Sequence, residues 1–219
     1  MIESGADGDS VAAKAWLAAK LTPAPDDFSK LERFVALLLA ENERQNLVAK
    51  STEATIWWRH IVDSAQLLLL AGDHPQYENG LWVDLGSGPG LPGLVVAILR
   101  RGPVALVEMR PARTDFLARC VNELALANVA IFTGKVERYR REAGIISARA
   151  FAPLPKLIAK ARHMAQDETL WLLPKGKNAV NELAELAAPW HSAFHVKQSV
   201  TSPESTILVG KGRFGGGPT

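Results

Sequence analysis

The sequence predicts an α/β fold: a mostly parallel sheet with helices on both faces, closed by an antiparallel C-terminal hairpin and preceded by a small helical cap. Three observations carry this. From Leu81 onward, short apolar runs alternate with helical segments, the pattern that builds a parallel sheet covered on both faces. The last two apolar runs, AFHVKQSV and STILVGK, have no helix between them, so they pair antiparallel. The helical stretches at the start precede the first glycine-rich turn, which makes them a cap rather than part of a repeat.

In chain order, residues 1–25 read as a mobile N-terminal segment holding a short helix, VAAKAWLAAK, that the linker LTPAPDD ends. A helix is expected from about Phe28 to Leu47. Phe28, Leu31, Val35, Leu38 and Leu39 share one face, and Ser29 with Glu32 has capping-box spacing. Residues 52–70, TEATIWWRHIVDSAQLLLL, form a second helical stretch, and together these make a cap over residues 26–75. The sheet domain follows over 76–212, with strands LWVDLG, PVALVE, VAIFTG, GIISARA and ETLWLLPK before the hairpin. Its helices are expected at 91–101, 112–126, 155–165 and 178–187, with a short piece near 135–140. The tail, 213–219, carries no packing signal and is expected to be mobile.

Composition narrows the function classes. A chain of 219 residues, 47% hydrophobic and 22% charged, has the makeup of one soluble domain with a substantial core. The formal net charge of +2 means that a nucleic-acid partner would be met by a local basic patch. Cys120 is the single cysteine, which excludes an intrachain disulfide and a multi-cysteine metal site. No apolar run approaches the roughly 20 residues of a membrane span, and MIESGADGDS has no signal-peptide pattern. The expectation is a cytoplasmic protein with no metal and no membrane association.

The stretch VDLGSGPGLPG, Val83 to Gly93, sits where a strand meets a helix. The dinucleotide fingerprint G-x-G-x-x-G fits Gly86 and Gly88, but its third position is Leu91, and Gly90 comes one residue early. The missing glycine is expected to hold the helix slightly away. No Lys-Ser or Lys-Thr follows, so the loop is not a Walker phosphate loop either. Asp84 disfavours a pyrophosphate nearby and favours a ligand with a positive or zwitterionic end. S-adenosylmethionine is such a ligand. Glu108, ending the second strand, is placed to accept from ribose hydroxyls. The turn after the third strand, TGKVER, offers the Val136 N–H and the Glu137 carboxylate to an adenine. Alone, Glu108 reads more often as a solvated strand-end residue and Glu137 as a helix N-terminal charge favoured by the dipole. Their order along three strand ends is what favours a cofactor.

The strings NLVAK, RHIVDS, DLGSGPGLPG, ISARAFAPL and LLPKGKN resemble the RsmG (GidB) family of bacterial 16S ribosomal RNA guanine-N7 methyltransferases, over roughly residues 30–210. The resemblance implies the class I S-adenosylmethionine-dependent methyltransferase (Rossmann-like) fold and, as partner, 16S rRNA or the small ribosomal subunit. It places cofactor contacts on Gly86, Leu91, Val136, Glu137 and Arg149. Two departures stand out: Gly144 replaces an aspartate usual at the fourth strand, and Lys135 an arginine usual in the turn after the third.

Transfer to guanine N7, a lone pair without a proton, needs no general base, so the expected work is positioning. Arg149, at the end of the fourth strand, is the leading functional side chain. It could hold the cofactor carboxylate, a target phosphate or guanine O6, or form a structural salt bridge. Lys175, after the fifth strand, could meet a phosphate or guanine, or be a solvated strand-end lysine. Arg59 and His60 would approach the acceptor side if the cap folds over the sheet edge. Hydrogen bonds closing the cap explain His60 and Asp63 equally well. Trp57 and Trp58 could stack on a base, although neighbours on a helix point different ways. A small-molecule methyltransferase and an RNA-binding protein without catalysis are the alternatives, and a monomer is expected.

Overall fold

The computed structural model describes residues 5–186 and 188–214. Its strands are β1 (Trp82–Leu85), β2 (Val104–Glu108), β3 (Val129–Thr133), β4 (Ala143–Ser147), β5 (Ala165–Lys175), β6 (Phe194–Gln198) and β7 (Thr206–Lys211). They form one sheet in the order β3-β2-β1-β4-β5-β7-β6. Strands β1 to β5 pair in parallel, whereas β7 pairs antiparallel with both β5 and β6. This is the expected parallel sheet with its closing hairpin. The hairpin enters by its second strand, so β7 lies inside and β6 takes the edge.

The helices are α1 (Gly5–Leu21), α2 (Pro25–Gln45), α3 (Asp63–Ala71), α4 (Gly93–Leu99), α5 (Pro111–Glu123), α6 (Leu154–Ala161), α7 (Ala179–Ala184) and α8 (Ala188–His191). Side chains alternate between faces of the sheet. Trp82 and Leu106 pack with Leu31, Phe34, Leu68, Val95 and Phe116 on one face, under α2 to α5. Val83, Leu85, Ile146 and Trp171 pack with Leu157, Ile158 and Leu183 on the other, under α6 and α7.

Four local expectations are revised. Within the segment expected to be mobile through residue 25, α1 is packed: Ala13 and Leu17 are fully buried, and Asp9 Oδ2 accepts the N–H groups of Trp57 (2.9 Å) and Trp58 (3.3 Å). Residues 1–4 of that segment lie outside the described residues. Helix α2 starts at Pro25 rather than Phe28, because proline suits a first helical position and Asp27 Oδ2 accepts the Ala24 N–H at 3.0 Å. The stretch 52–70 is not one helix: a 3-10 turn (Lys50–Thr55) and a π-helical turn (Trp57–Val62) lead into α3. π turns are rare and concentrate at functional sites. In the tail, Phe214 is buried and stacked on Phe194 at 4.9 Å, while residues 215–219 lie outside the described residues.

Candidate functional site

Three cavities open along the carboxyl edge of the sheet and meet at Ala150. The first, about 460 Å³, is bordered by Gly86, Glu108, Met109, Val136, Glu137 and Phe151. The second, about 450 Å³, lies under the cap, between His60, Gly86, Gly88, Leu91, Arg113 and Arg149. The third, about 550 Å³, is lined by Arg59, Asp63, Arg149, Lys175, Glu182 and Thr201, among others. Each is within the range of small-ligand sites. Ala150 borders all three and has a left-handed φ of 51°. That conformation is unusual for alanine and is the kind of strain that gathers at functional sites.

The glycine loop is shaped by close approaches. Gly86 has φ 66°, and a Cβ there would sit 2.5 Å from the Phe151 ring. The helix is not held away by Leu91, as the sequence suggested. Gly93 opens α4, and a Cβ on it would fall 2.3 Å from Leu106 and 2.8 Å from Asp84 Oδ2. Gly93 thus performs the close helix–strand packing of the third glycine in the dinucleotide fingerprint. Leu91 is buried and borders the second cavity.

Asp84 is placed differently from expectation. It is fully buried and lines none of the three cavities. Its Oδ1 accepts from Ser147 Oγ (2.7 Å) and its Oδ2 from the Gly93 N–H (3.2 Å). Strand periodicity turns it toward the Trp82 face, under α4, so it pins the loop from below. Burial pushes its carboxyl up to about 6, against the hydrogen bonds it accepts.

Glu108 keeps its expected position. Its Oε2 accepts the Gly88 N–H (2.9 Å), and its Oε1 those of Met109 (2.8 Å) and Arg110 (2.9 Å). The carboxylate ties the glycine loop to the end of β2 and retains acceptor capacity on Oε2. Val136 starts a 3-10 turn (Val136–Arg138), and among the described residues no acceptor is paired with its N–H. That leaves a donor on the wall of the first cavity. The Glu137 carboxylate also borders this cavity but pairs with Lys160, which holds it below the usual carboxylate range. An exposed methionine, Met109, completes the wall. A nucleoside fits these groups: acceptor at Glu108, free donor at Val136 and apolar surface at Met109. Gly144 departs from the family pattern for a local reason, since a Cβ there would fall 2.9 Å from Gln76 Cβ.

Arg149 joins the cap to the sheet. Its Nη2 donates to His60 Nδ1 at 2.7 Å, and its Nη1 lies 3.6 Å from Asp63 Oδ2. Because arginine can only donate, His60 Nδ1 must accept. Nε2 therefore carries the proton and donates to Thr52 Oγ1 (2.8 Å), which donates to the Ala49 carbonyl (2.7 Å). Burial first, then the charges of Arg149 and Arg59, lower the His60 pKa to about 3. Both ring nitrogens are engaged, so His60 is not available as a base. Burial also lowers the Arg149 pKa, with Asp63 acting in the opposite sense. Arg149 borders the second and third cavities, not the first.

Lys175 is not a solvated lysine. Its Nζ donates to Glu182 Oε2 (2.7 Å) and the Ala152 carbonyl (2.9 Å) at the wall of the third cavity. Trp57 and Trp58 serve α1: Trp58 meets Trp16 edge-on at 6.4 Å, and Lys14 Nζ lies 5.0 Å from the Trp57 ring. Sequence reasoning missed Phe151, Glu182, Ser199 and Thr201, whose partners are distant in the chain and leave no local signature.

Two of the large pKa shifts, those of His60 and Asp84, fall in the acid range and oppose each other. In the fold His60 stays neutral down to about pH 3, against 6.5 ordinarily, so its contribution is lost as pH falls below 6.5. Asp84 stays protonated up to about 6, against 3.8, so its contribution is lost as pH rises through that window. Each slope is about 1.4 kcal/mol per pH unit, and they cancel where they overlap. Between about pH 6 and 4.5, wild-type melting temperatures are expected to change little on account of these groups. Asp84→Asn should then melt progressively lower on acidification, and His60→Gln progressively higher. Parallel curves for all three proteins would refute this account.

Among the described residues, no helix is long and apolar enough to cross a membrane, and no cluster of three or more His, Cys, Asp or Glu side chains is arranged to hold a metal. The sequence profile of the rRNA small subunit methyltransferase G family, GidB, matches residues 27–207. The ribosomal RNA small subunit methyltransferase G of Sphingopyxis alaskensis is 55% identical, over 94% of this chain and 88% of that protein. Its counterpart in Erythrobacter litoralis is 51% identical, over 84% and 88%. A mutant of MtNAS in complex with S-adenosylmethionine has a similar fold, with TM-score 0.55, 16% identity, and coverage of 83% of this chain and 74% of that one. A SAM-dependent methyltransferase from Aquifex aeolicus aligns with TM-score 0.50 and 14% identity, over 69% and 89%. The sheet order and these likenesses establish the Rossmann-like methyltransferase fold.

Proposed function

We propose, since the chain belongs to the rRNA small subunit methyltransferase G family, that it transfers a methyl group from S-adenosylmethionine to N7 of a guanine in 16S ribosomal RNA. The observation that carries this reading is the meeting of the cavities at Ala150, where a nucleoside-sized space adjoins a space lined by charged side chains. When bound, S-adenosylmethionine supplies an electrophilic methyl on a sulfonium.

This chain's residues divide the remaining work. Glu108 would accept from the ribose, the Val136 N–H would donate to the adenine, and Met109 would cover its face. Gly86, Gly88 and Leu91 would border the amino-acid end of the cofactor in the second cavity. Glu137, on the wall of the first cavity, would accept from the adenine amino group while sharing its carboxylate with Lys160. Asp84 contributes indirectly, by fixing the loop to α4. Arg149 and Lys175 would present donors to the RNA base or phosphate in the third cavity. Neutral His60, with both nitrogens occupied, suits a reaction that removes no proton before bond formation. No metal is called for, and the protein would act as a cytoplasmic enzyme.

The test is incubation with labelled S-adenosylmethionine and small-subunit RNA lacking the modification. One labelled guanine is expected, with the label lost on acid-catalysed cleavage at N7-methylguanine. Label on a pyrimidine, on a small molecule or on protein would overturn the assignment.

A further inference from the structure

We infer that Asp63 reads the acceptor base, its Oδ2 accepting from N1–H and the N2 amino group of a guanine in the third cavity. The inference rests on guanine being the acceptor and names the group that selects it. Asp63 is one of the most heavily bonded carboxylates in the molecule, yet all of its hydrogen bonds converge on one oxygen. Oδ1 accepts from Gln66 Nε2 (3.0 Å), Thr201 Oγ1 (2.8 Å) and Ser199 Oγ (3.4 Å). Among the described residues no hydrogen bond reaches Oδ2. Its nearest cation, Arg149 Nη1 at 3.6 Å, is beyond hydrogen-bond distance and is itself buried without a hydrogen-bond partner.

Both residues line the third cavity, Arg149 with an orphaned buried donor and Asp63 with a free charged acceptor, and together they form an incomplete pair. The edge of guanine supplies the complement. Its N1–H and N2–H₂ are donors for Asp63 Oδ2, and its O6 is an acceptor for the arginine beside it. N7, next to O6, then stays unbound, as a nucleophile must. Adenine offers the reverse order, an acceptor at N1 and a donor amino group at C6. It would set acceptor against carboxylate and donor against guanidinium, which is rejection by mismatch.

The hydrogen bonds on Oδ1 also make the variant informative. In Asp63→Asn the amide oxygen is held by the donors of Gln66, Thr201 and Ser199, so the amide nitrogen takes the place of Oδ2. An acceptor becomes a donor at nearly constant shape.

Two measurements test this. In the first, with the cofactor site filled by S-adenosylhomocysteine so that adenosine cannot enter it, saturation-transfer NMR with guanosine and adenosine should show guanosine favoured severalfold by the wild-type protein, and the preference lost in Asp63→Asn. In the second, the mapped guanine is replaced by inosine, which lacks only the N2 amino group. Inosine should lower kcat/KM about tenfold with wild type and less than twofold with Asp63→Asn. A purely structural Asp63 would leave the inosine penalty the same in both proteins, and that result overturns the inference. So does a wild-type protein that, with the cofactor site filled, binds guanosine no better than adenosine, a result needing no variant to fold. Guanosine selectivity without methylation of any RNA guanine would overturn the methyl-transfer reading and leave this one standing.

Discussion

Arg149→Ala is expected to lower kcat/KM for methyl transfer by about 10²–10³-fold, roughly 3–4 kcal/mol of transition-state stabilisation, in a protein that still folds. The reason is position. The guanidinium lines both the second and the third cavity, where the donor and acceptor sides of the proposed reaction meet. Its removal also leaves His60 Nδ1 and Asp63 Oδ2 without their neighbour. Unpaired buried groups of this kind cost about 1–3 kcal/mol, so the melting temperature should fall by several degrees. Arg149→Lys should recover charge but little activity, because an ammonium cannot reach two partners in the planar geometry of the fork. Steady-state kinetics beside thermal melts separate the two effects. Near wild-type kcat/KM in Arg149→Ala would reduce the residue to a strut between cap and sheet.

Glu108→Ala should abolish detectable binding of S-adenosylmethionine, a loss of at least about 100-fold by calorimetric titration. One carboxylate performs two tasks here. It accepts the N–H groups of Gly88, Met109 and Arg110, and it faces the first cavity. Alanine removes the acceptor from these backbone donors together, which should destabilise the protein by about 2–4 kcal/mol. Glu108→Gln separates the tasks, because an amide keeps an oxygen for part of the loop but loses the charge-assisted bonds. It should melt between the other two proteins and bind the cofactor weakly. Wild-type affinity in Glu108→Ala would remove Glu108 from the cofactor site.

Parallel strands buried on both faces declare themselves as apolar runs, and ligand groups in such sheets gather at strand ends. For these reasons the positions of Glu108 and Val136, at the carboxyl edge of the sheet, were legible in the sequence. Side-chain direction was harder. Asp84 lies in the right loop but points under α4, which strand alternation from Trp82 would have indicated. Gly93 falls outside the fingerprint that begins at Gly86, because its role is set by contact with Leu106 and Asp84 rather than by spacing. Nothing local announces the π turn over Trp57–Val62. The pairing of Arg149 with His60 joins residues 89 positions apart, and that of Asp63 with Thr201 joins residues 138 apart. Such contacts follow from topology, and no single-sequence pattern encodes them.

The entry of the hairpin by β7 has a consequence in time. The lining of the first cavity is complete in the chain by Lys160, whereas the third needs residues as late as Thr206. Asp63, made early, waits for Ser199 and Thr201 before its Oδ1 is fixed. At about 5–20 residues per second, roughly 2–9 s of synthesis separate those two points. Each new copy would therefore possess the walls of the first cavity before those of the third, and on the proposed reading a nascent chain could not yet select a base.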